Sequence, residues 1–130
     1  MMPKIVLLLE ETLTAIHHRQ IAEHGGSEGL RDEGLLMSAL ARPQNLLAYG
    51  EPAPDLASLA AAYAYGIARN DPFVDGNKRT ALVAARTFLI LNGVDVEATQ
   101  DDKVLTFLKL AEGAISEEEL ADWIRKRIHL

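Results

Sequence analysis

The sequence predicts an all-α fold in a single domain of about six helices, and its length and composition support that prediction. At 130 residues the chain has a common single-domain size and can bury one core. Aromatic residues make up only 5% of the chain, whereas alanine is plentiful. Strands favour aromatic and β-branched residues, and helices favour alanine. The composition therefore indicates helices that pack closely through small side chains.

The first two helices are indicated by apolar spacing and by residues suited to their ends. The first is predicted over Glu10–His24 and ends at the Gly25-Gly26 pair, which suits a left-handed cap. The run Ile5–Leu9 before it is either a short extended piece or an added turn, since five apolar residues fit both. A shorter helix is predicted over Asp32–Ala41, with the aspartate as its N-cap. We expect it to end there because Pro43 prevents its continuation.

The remaining helices follow from caps and turn residues. Three prolines and a glycine in residues 42–54 predict a surface loop. An alanine-rich central helix is predicted over Asp55–Arg69, again with the aspartate as its N-cap. A strongly apolar helix is predicted over Asn77–Leu91, and another over about Asp101–Glu112. The S-x-x-E pattern of Ser116–Glu119 predicts a capping box at the start of the last helix.

Charge and cysteine content narrow the classes of function. The net charge of -6 offers no basic surface for DNA or RNA, so no direct nucleic-acid partner is expected. The chain has no cysteine, which excludes a disulfide framework and a thiol nucleophile and fits a reducing cytoplasm. The apolar run Ile5–Leu9 is too short for a signal core or a membrane span. We therefore expect a cytoplasmic protein with no membrane partner.

The segment DPFVDGNKRTA, residues 71–81, carries the clearest functional signal, because it places charged residues, a glycine and an amide at a helix start. A helix that begins at Gly76 or Asn77 directs its free N–H groups and the positive end of its dipole toward the preceding loop, where an anion can bind. Gly76 lets the backbone approach a ligand. Lys78 adds a point charge and Arg79 a planar fork, two complementary ways to contact phosphate oxygens.

The same segment contains residues suited to a metal ion and to loop packing. Asp75 supplies a hard oxygen that can hold magnesium between phosphates. Phe73 is expected to point inward and fix the loop. Taken singly, these residues have structural explanations, since Asp, Asn and Gly are common in turns and caps. The two cations in the first helical turn, where the dipole disfavours them, favour phosphate binding.

Three histidines near the end of the first helix, His17, His18 and His24, raise the question of a metal site. Neighbouring residues on a helix point apart, and the H-E-x-x-H spacing is missing from the sequence. Packed or solvated side chains explain these histidines better, so no metal site is predicted there.

The 71–81 segment resembles the motif of the Fic/Doc family, and within it the Doc toxins of bacterial toxin–antitoxin pairs. The Doc form of the motif is H-x-F-x-(D/E)-(G/A)-N-K-R, and this chain matches every position except the first. Segments Ile21–Asn45 and Leu59–Asn70 look like those that flank the motif in Doc toxins, so the similarity covers nearly the whole chain. It implies the compact helical Fic core as one Fic/Doc domain over residues 1–130.

The resemblance implies an activity and a set of site residues. Fic enzymes that transfer AMP carry G-N-G-R-x-x-R, whereas this chain has a lysine at 78 and Leu82 at the second arginine, which is Doc-like. In the Doc branch ATP lies reversed, and its terminal phosphate passes, with Mg²⁺, to a hydroxyl of translation elongation factor Tu, which arrests translation. By position, the resemblance implies Asp71 and Arg79 as catalytic residues, Asp75 as the metal ligand, and ATP contacts from Phe73, Gly76, Asn77, Lys78 and Arg79.

The family's catalytic histidine falls on Asp71 in this chain. An imidazole titrates near neutral pH and can accept and release a proton there, whereas a carboxylate is ordinarily a much weaker base. General base catalysis contributes typically ~10²- to 10⁴-fold. We therefore expect an attenuated enzyme, either a detoxified form of an active toxin or a naturally divergent member. Protein kinases place an aspartate beside the substrate hydroxyl, so Asp71 can retain part of the function.

The resemblance also implies partners and leaves alternatives open. It places a flap that aligns the target at residues 42–54, and it allows Arg31 and Asp32 to lie at the rim of the site. The S/T-x-x-x-E-G/N pattern of self-inhibiting Fic proteins is missing, so a Phd-type antitoxin is the expected inhibitor. Two alternatives remain: transfer of AMP or another nucleotide part, and a pseudo-enzyme that binds antitoxin or nucleotide without chemistry.

Overall fold

The computed structural model describes residues 4–129, and this range contains six α-helices. They are α1 (Glu10–His24), α2 (Glu33–Tyr49), α3 (Leu56–Asn70), α4 (Asn77–Leu91), α5 (Gln100–Ala111) and α6 (Glu117–Arg125). Backbone pairing of the β type is limited, within this range, to one isolated bridge between Leu30 and Phe73. None of the described helices is long and apolar enough to cross a bilayer. The predicted all-α class and the count of six helices are confirmed.

Helix α3 is the centre of the fold, and α2, α4, α5 and α6 all pack against it. Its buried side chains are mostly alanine, as the composition predicted. At Gly66 an added Cβ would lie 3.0 Å from the Cα of Ala39 in α2, so a larger residue would push the two helices apart. Close packing through small residues therefore fixes the distance between α2 and α3.

Side-chain caps begin four of the six described helices, and three of these caps are ones the sequence predicted. Asp32 accepts a hydrogen bond of 2.9 Å from the Leu35 N–H, and Asp55 accepts one of 2.9 Å from the Ser58 N–H. Ser116 forms the predicted capping box at the start of α6. Each such cap stabilises its helix by about 1 kcal/mol. Helix α5 begins one residue earlier than predicted, because Thr99 provides its cap.

Helix α2 does not end before Pro43, and that prediction was wrong. The helix continues through the proline to Tyr49 and ends at Gly50, whose N–H bonds to the Leu46 carbonyl at 2.8 Å. Proline inside a helix costs about 3 kcal/mol, but Pro43 is buried and Leu46 packs against the core. Tertiary packing offsets the local cost. The predicted loop over residues 42–54 is therefore helical as far as residue 49.

The run Ile5–Leu9 forms neither a helix nor a turn, and Leu9 is extended, so the added turn that the sequence left open is not formed. The Leu8 N–H donates to the Tyr63 hydroxyl at 2.8 Å. The Asn92 side chain accepts from the Val6 N–H at 2.8 Å and donates to the Val6 carbonyl at 2.9 Å. These bonds hold the run against α3 and against the end of α4.

Candidate active site

The turn that joins α3 to α4 begins at Asp71, whose backbone is left-handed at φ 48° and ψ 57°. Aspartate is one of the few residues that adopt this conformation readily. The Arg31 guanidinium donates to the Asp71 carbonyl at 2.6 Å and to the Asn70 carbonyl at 2.7 Å. Arg31 thereby binds the last carbonyls of α3 and fixes the direction of the turn. It lies at the rim of the site, as the resemblance allowed.

A short extended segment before α2 runs beside the turn. The Pro72 carbonyl accepts from the Arg31 N–H at 2.7 Å and from the Asp32 N–H at 3.1 Å, and the Val74 N–H donates to Gly29 at 3.0 Å. Residues 29–32 therefore border the site. The flap expected at residues 42–54 was assigned to the wrong segment, because these residues are mostly helical and none of them lines the main cavity.

The turn is held against α1 by a stacked pair of aromatic rings, those of Phe73 and His17. Phe73 is 2% exposed and stacks on His17, with ring centroids 3.8 Å apart and ring planes 5° from parallel. His17 Nε2 lies 2.8 Å from the Asp75 carbonyl oxygen, so this nitrogen carries the hydrogen and donates. Phe73 points inward as predicted. Of the two explanations given for the histidines, packing applies to His17 and solvent exposure to His18.

Asn77 fixes the same turn with both ends of its side chain. Its Oδ1 accepts from the Phe73 N–H at 3.0 Å, and its Nδ2 donates to the Phe73 carbonyl at 2.9 Å. The amide thus pairs with the backbone of Phe73 through one accepted and one donated hydrogen bond, as a peptide group of an adjacent strand would. Asn77 lines the cavity, and its backbone N–H has no acceptor among the described residues. Its predicted contact with ATP stays a prediction.

Gly76 is required at the start of α4 for two reasons. Its backbone is left-handed at φ 76° and ψ 14°, a conformation that favours glycine. An added Cβ would also lie 3.0 Å from Ile21 Cδ1, which is tight contact. No side chain caps this helix, and its first backbone bond runs from the Thr80 N–H to the Gly76 carbonyl at 3.0 Å. The N–H groups of residues 77–79 consequently have no hydrogen-bond acceptor in the described part of the chain.

Asp75 is held by backbone donors and keeps room for a metal ion. Its Oδ1 accepts from the Gly76 N–H at 2.8 Å and its Oδ2 from the Ser27 N–H at 3.3 Å. Each carboxylate oxygen has a further lone pair. Among residues 4–129 no three His, Cys, Asp or Glu side chains gather into a metal site. A single carboxylate fits Mg²⁺, which retains water and takes other oxygens from phosphates.

All the predicted site residues line one cavity of about 760 Å³ between α1, α4 and α5. Those residues are Asp71, Phe73, Asp75, Gly76, Asn77, Lys78 and Arg79. The Lys78 and Arg79 side chains are exposed, and neither has an ion-pair partner within residues 4–129. Two unpaired cations and three unbonded N–H groups therefore belong to the first turn of α4, which lines the cavity. This arrangement attracts an anion.

Part of the cavity wall is apolar and was not predicted as part of the site. It is formed by Leu82, Val83, Val104, Phe107 and Leu108. The α5 members follow helical spacing along one face, a signal visible in the sequence only once α5 is known to lie beside α4. Gln20 and His24 of α1, Gln100 of α5 and Val74 also line the cavity. The volume lies within the range of about 300–1,000 Å³ that is usual for small-molecule sites.

Comparison with known proteins agrees with this geometry. The sequence model of the Fic/DOC family matches residues 7–89, which include the whole motif. The chain belongs to the Fic/DOC family. It is 39% identical over 116 residues to "Protein kinase doc" of Escherichia phage P1, which covers 89% of this chain and 90% of that protein. It is also 53% identical over 78 residues to "Toxin Doc" of Mycolicibacterium smegmatis, with 59% of each chain covered. The predicted membership of the Doc-type toxins is confirmed.

Proposed function

We propose that the chain is a Doc-type toxin that transfers the terminal phosphate of ATP to a hydroxyl of elongation factor Tu in the cytoplasm. The observation that carries the proposal is the pair of unpaired cations, Lys78 and Arg79, beside three unbonded N–H groups in a cavity large enough for a nucleotide. One relative is named a protein kinase and the other a toxin, which supports the same reading.

The chain's own residues supply positioning and charge in this reaction. The start of α4 would hold phosphate oxygens through the N–H groups of residues 77–79. Arg79 is suited to the charge that develops during transfer, because a guanidinium offers several donors in one plane. Phosphoryl transfer depends mainly on such positioning. When bound at Asp75, Mg²⁺ would neutralise part of the phosphate charge.

Asp71 is the residue that limits the rate in this proposal. Its backbone is fixed by Arg31, and it lines the same cavity as Lys78 and Arg79. It can orient the attacking hydroxyl, as the kinase aspartate does, but a carboxylate is ordinarily a weaker base than an imidazole, and its negative charge repels phosphate. We therefore infer that the chain transfers phosphate slowly.

The alternative of AMP transfer receives less support from the site. Fic enzymes of that kind are expected to have a second arginine where this chain has Leu82, and Leu82 is a buried part of the apolar wall. A pseudo-enzyme that only binds is an outcome of the test below. Whether the chain is an enzyme or only binds, a Phd-type antitoxin is its proposed partner. Co-purification of the antitoxin with the chain at a fixed ratio would test that partner.

The test is transfer of label from ATP to purified elongation factor Tu. Label in the γ-phosphate should appear on the factor and label in the α-phosphate should not. The Asp71→His variant should be faster by up to ~10²- to 10⁴-fold, the usual range for a general base. Lys78→Ala should abolish transfer, whereas Lys126→Ala, which removes an exposed lysine outside the cavity, should not. Transfer of α-label would indicate AMP transfer, and no transfer even with Asp71→His would indicate a pseudo-enzyme.

A further inference from the structure

The loop that follows α1 lies directly against the side chain of Asp75. The Asp75 Oδ2 accepts from the Ser27 N–H at 3.3 Å, while Oδ1 accepts from the Gly76 N–H at 2.8 Å. Asp75 is exposed, and its carboxylate has no ion-pair partner within residues 4–129. A carboxylate that N–H donors orient and no cation neutralises is suited to bind a metal ion.

Gly26 in this loop leaves the space that the carboxylate occupies. A Cβ at position 26 would lie 2.7 Å from Asp75 Oδ2 and 3.2 Å from Ile21 Cδ1. The first distance is closer than real Cβ atoms come to other heavy atoms. Because the carboxylate is the end of a side chain, it would move more easily than the backbone around it. Gly25 offers the contrast, since a Cβ there would meet nothing within 4 Å.

Helix α1 holds the main chain of the same residue. His17 Nε2 donates to the Asp75 carbonyl at 2.8 Å, and the stacking on Phe73 fixes the plane of the His17 ring. The helix and its loop therefore restrain both the backbone and the carboxylate of Asp75. Mg²⁺ demands near-ideal octahedral geometry, so a displacement of a few tenths of an ångström in a ligand matters.

We propose that Gly26 and His17 are positioning residues, which hold the Asp75 carboxylate in the direction needed for Mg²⁺ bound together with the nucleotide's phosphates. This inference rests on the proposed function, because it requires Asp75 to be the metal ligand. It gives a role to α1 and its loop, whereas the site residues predicted from the sequence all lie in the α3–α4 turn or the first turn of α4.

The test is calorimetric titration of the full chain with ATP, once in excess Mg²⁺ and once in EDTA. The ratio of the two affinities measures how much the metal contributes to nucleotide binding. Gly26→Ala should lower this ratio about 10- to 100-fold, the usual effect of losing a residue that orients a metal ligand. The affinity in EDTA should stay unchanged, because the cations and N–H groups of α4 are untouched.

Gly25→Ala is the matched control for Gly26→Ala. The φ angle is positive at both glycines, 81° at Gly25 and 120° at Gly26, so both variants strain the backbone. Only the second brings a Cβ against the carboxylate. Gly25→Ala should therefore lower the melting temperature without changing the ratio of the two ATP affinities.

Two further variants test the same role by other routes. His17→Phe keeps a ring that can stack on Phe73 but removes the donor to the Asp75 carbonyl, so it should also lower the ratio. It provides the test should Gly26→Ala fold poorly. In an Asp75→Ala background, Gly26→Ala should have no further effect on ATP binding, because the carboxylate that it displaces is gone.

Three results would overturn the role given to α1 and leave the phosphate site intact. They are an equal loss of ATP affinity with and without Mg²⁺ in Gly26→Ala, a ratio lowered as much by Gly25→Ala, and an unchanged ratio in both Gly26→Ala and His17→Phe. Equal ATP affinity of the unaltered chain in Mg²⁺ and in EDTA would overturn Asp75 as the metal ligand and this inference with it. Absence of ATP binding to the unaltered chain would overturn the proposed function as well.

Discussion

The Asn77→Ala variant tests how the turn before α4 is held in place. The amide of Asn77 makes two part-buried hydrogen bonds to the backbone of Phe73, one at 3.0 Å and one at 2.9 Å. Each bond stabilises the fold by about 1 kcal/mol, so their removal should lower the free energy of unfolding by about 2 kcal/mol. For a domain of this size we expect a fall in melting temperature of roughly 8 °C.

The assay is urea denaturation followed by circular dichroism, with Asn45→Ala as the control. Asn45 is an exposed residue of α2 whose side chain makes no hydrogen bond with the described residues, so its replacement should change stability by less than about 0.5 kcal/mol. An Asn77→Ala variant as stable as this control would refute the assignment of the amide to the turn. Loss of ATP binding in such a stable variant would show that the amide contacts the ligand instead.

Three further substitutions test other parts of the structure. Thr80→Val should raise the free energy of unfolding by about 1 kcal/mol, because the buried Thr80 hydroxyl has no partner within residues 4–129; a decrease in urea stability would contradict this. Arg31→Met removes two hydrogen bonds to carbonyl oxygens at the end of α3. Introduced into the Asp71→His variant, it should slow phosphate transfer with little change in ATP affinity. Equal transfer rates with and without Arg31→Met would show that the arginine does not position the turn. Asp55→Asn keeps the cap of α3 but loses the ion pair with Arg125, which holds the pKa of Asp55 well below its ordinary value. Because its pKa is lowered in the folded state, ionised Asp55 stabilises the fold above pH ~4, and this stabilisation is lost as the pH falls below that value. The free energies of unfolding of the parent and the variant should therefore become equal in acid. At neutral pH the parent's free energy of unfolding should exceed the variant's by about 0.5–1 kcal/mol, as expected for a half-exposed ion pair. A difference that grows as the pH falls would be evidence against the ion pair.

Local signals in the sequence predicted the helices well, because their causes lie within a few residues of one another. The caps at Asp55 and Ser116 bond to N–H groups three residues later. The bounds of α4 follow from the glycine before it and the Asn92-Gly93 pair after it. The motif residues were predicted to lie together for the same reason, since they occupy one turn and the first turn of the next helix.

Features that depend on distant residues were not predicted. Pro43 lies inside α2 because of burial against other helices, which the local rule for proline does not include. His17 contacts Asp75 across 58 positions of sequence. Gln20 carries no motif, and its burial beside the cavity becomes visible only when α1 is placed against α4. The apolar wall from α5 was missed for the same physical reason.

The most direct test of the account is titration of the chain with Mg-ATP, comparing the unaltered protein with Lys78→Ala and Arg79→Ala. Both cations line the cavity without an ion-pair partner in the described residues, so each should contact phosphate oxygens directly. A charge-assisted hydrogen bond stabilises by about 1.5–3 kcal/mol, which corresponds to a loss of affinity of roughly 10- to 100-fold for each variant. Lys126→Ala should bind as the unaltered chain does. Unchanged affinity in both cavity variants would contradict the claim that the start of α4 holds a nucleotide's phosphates.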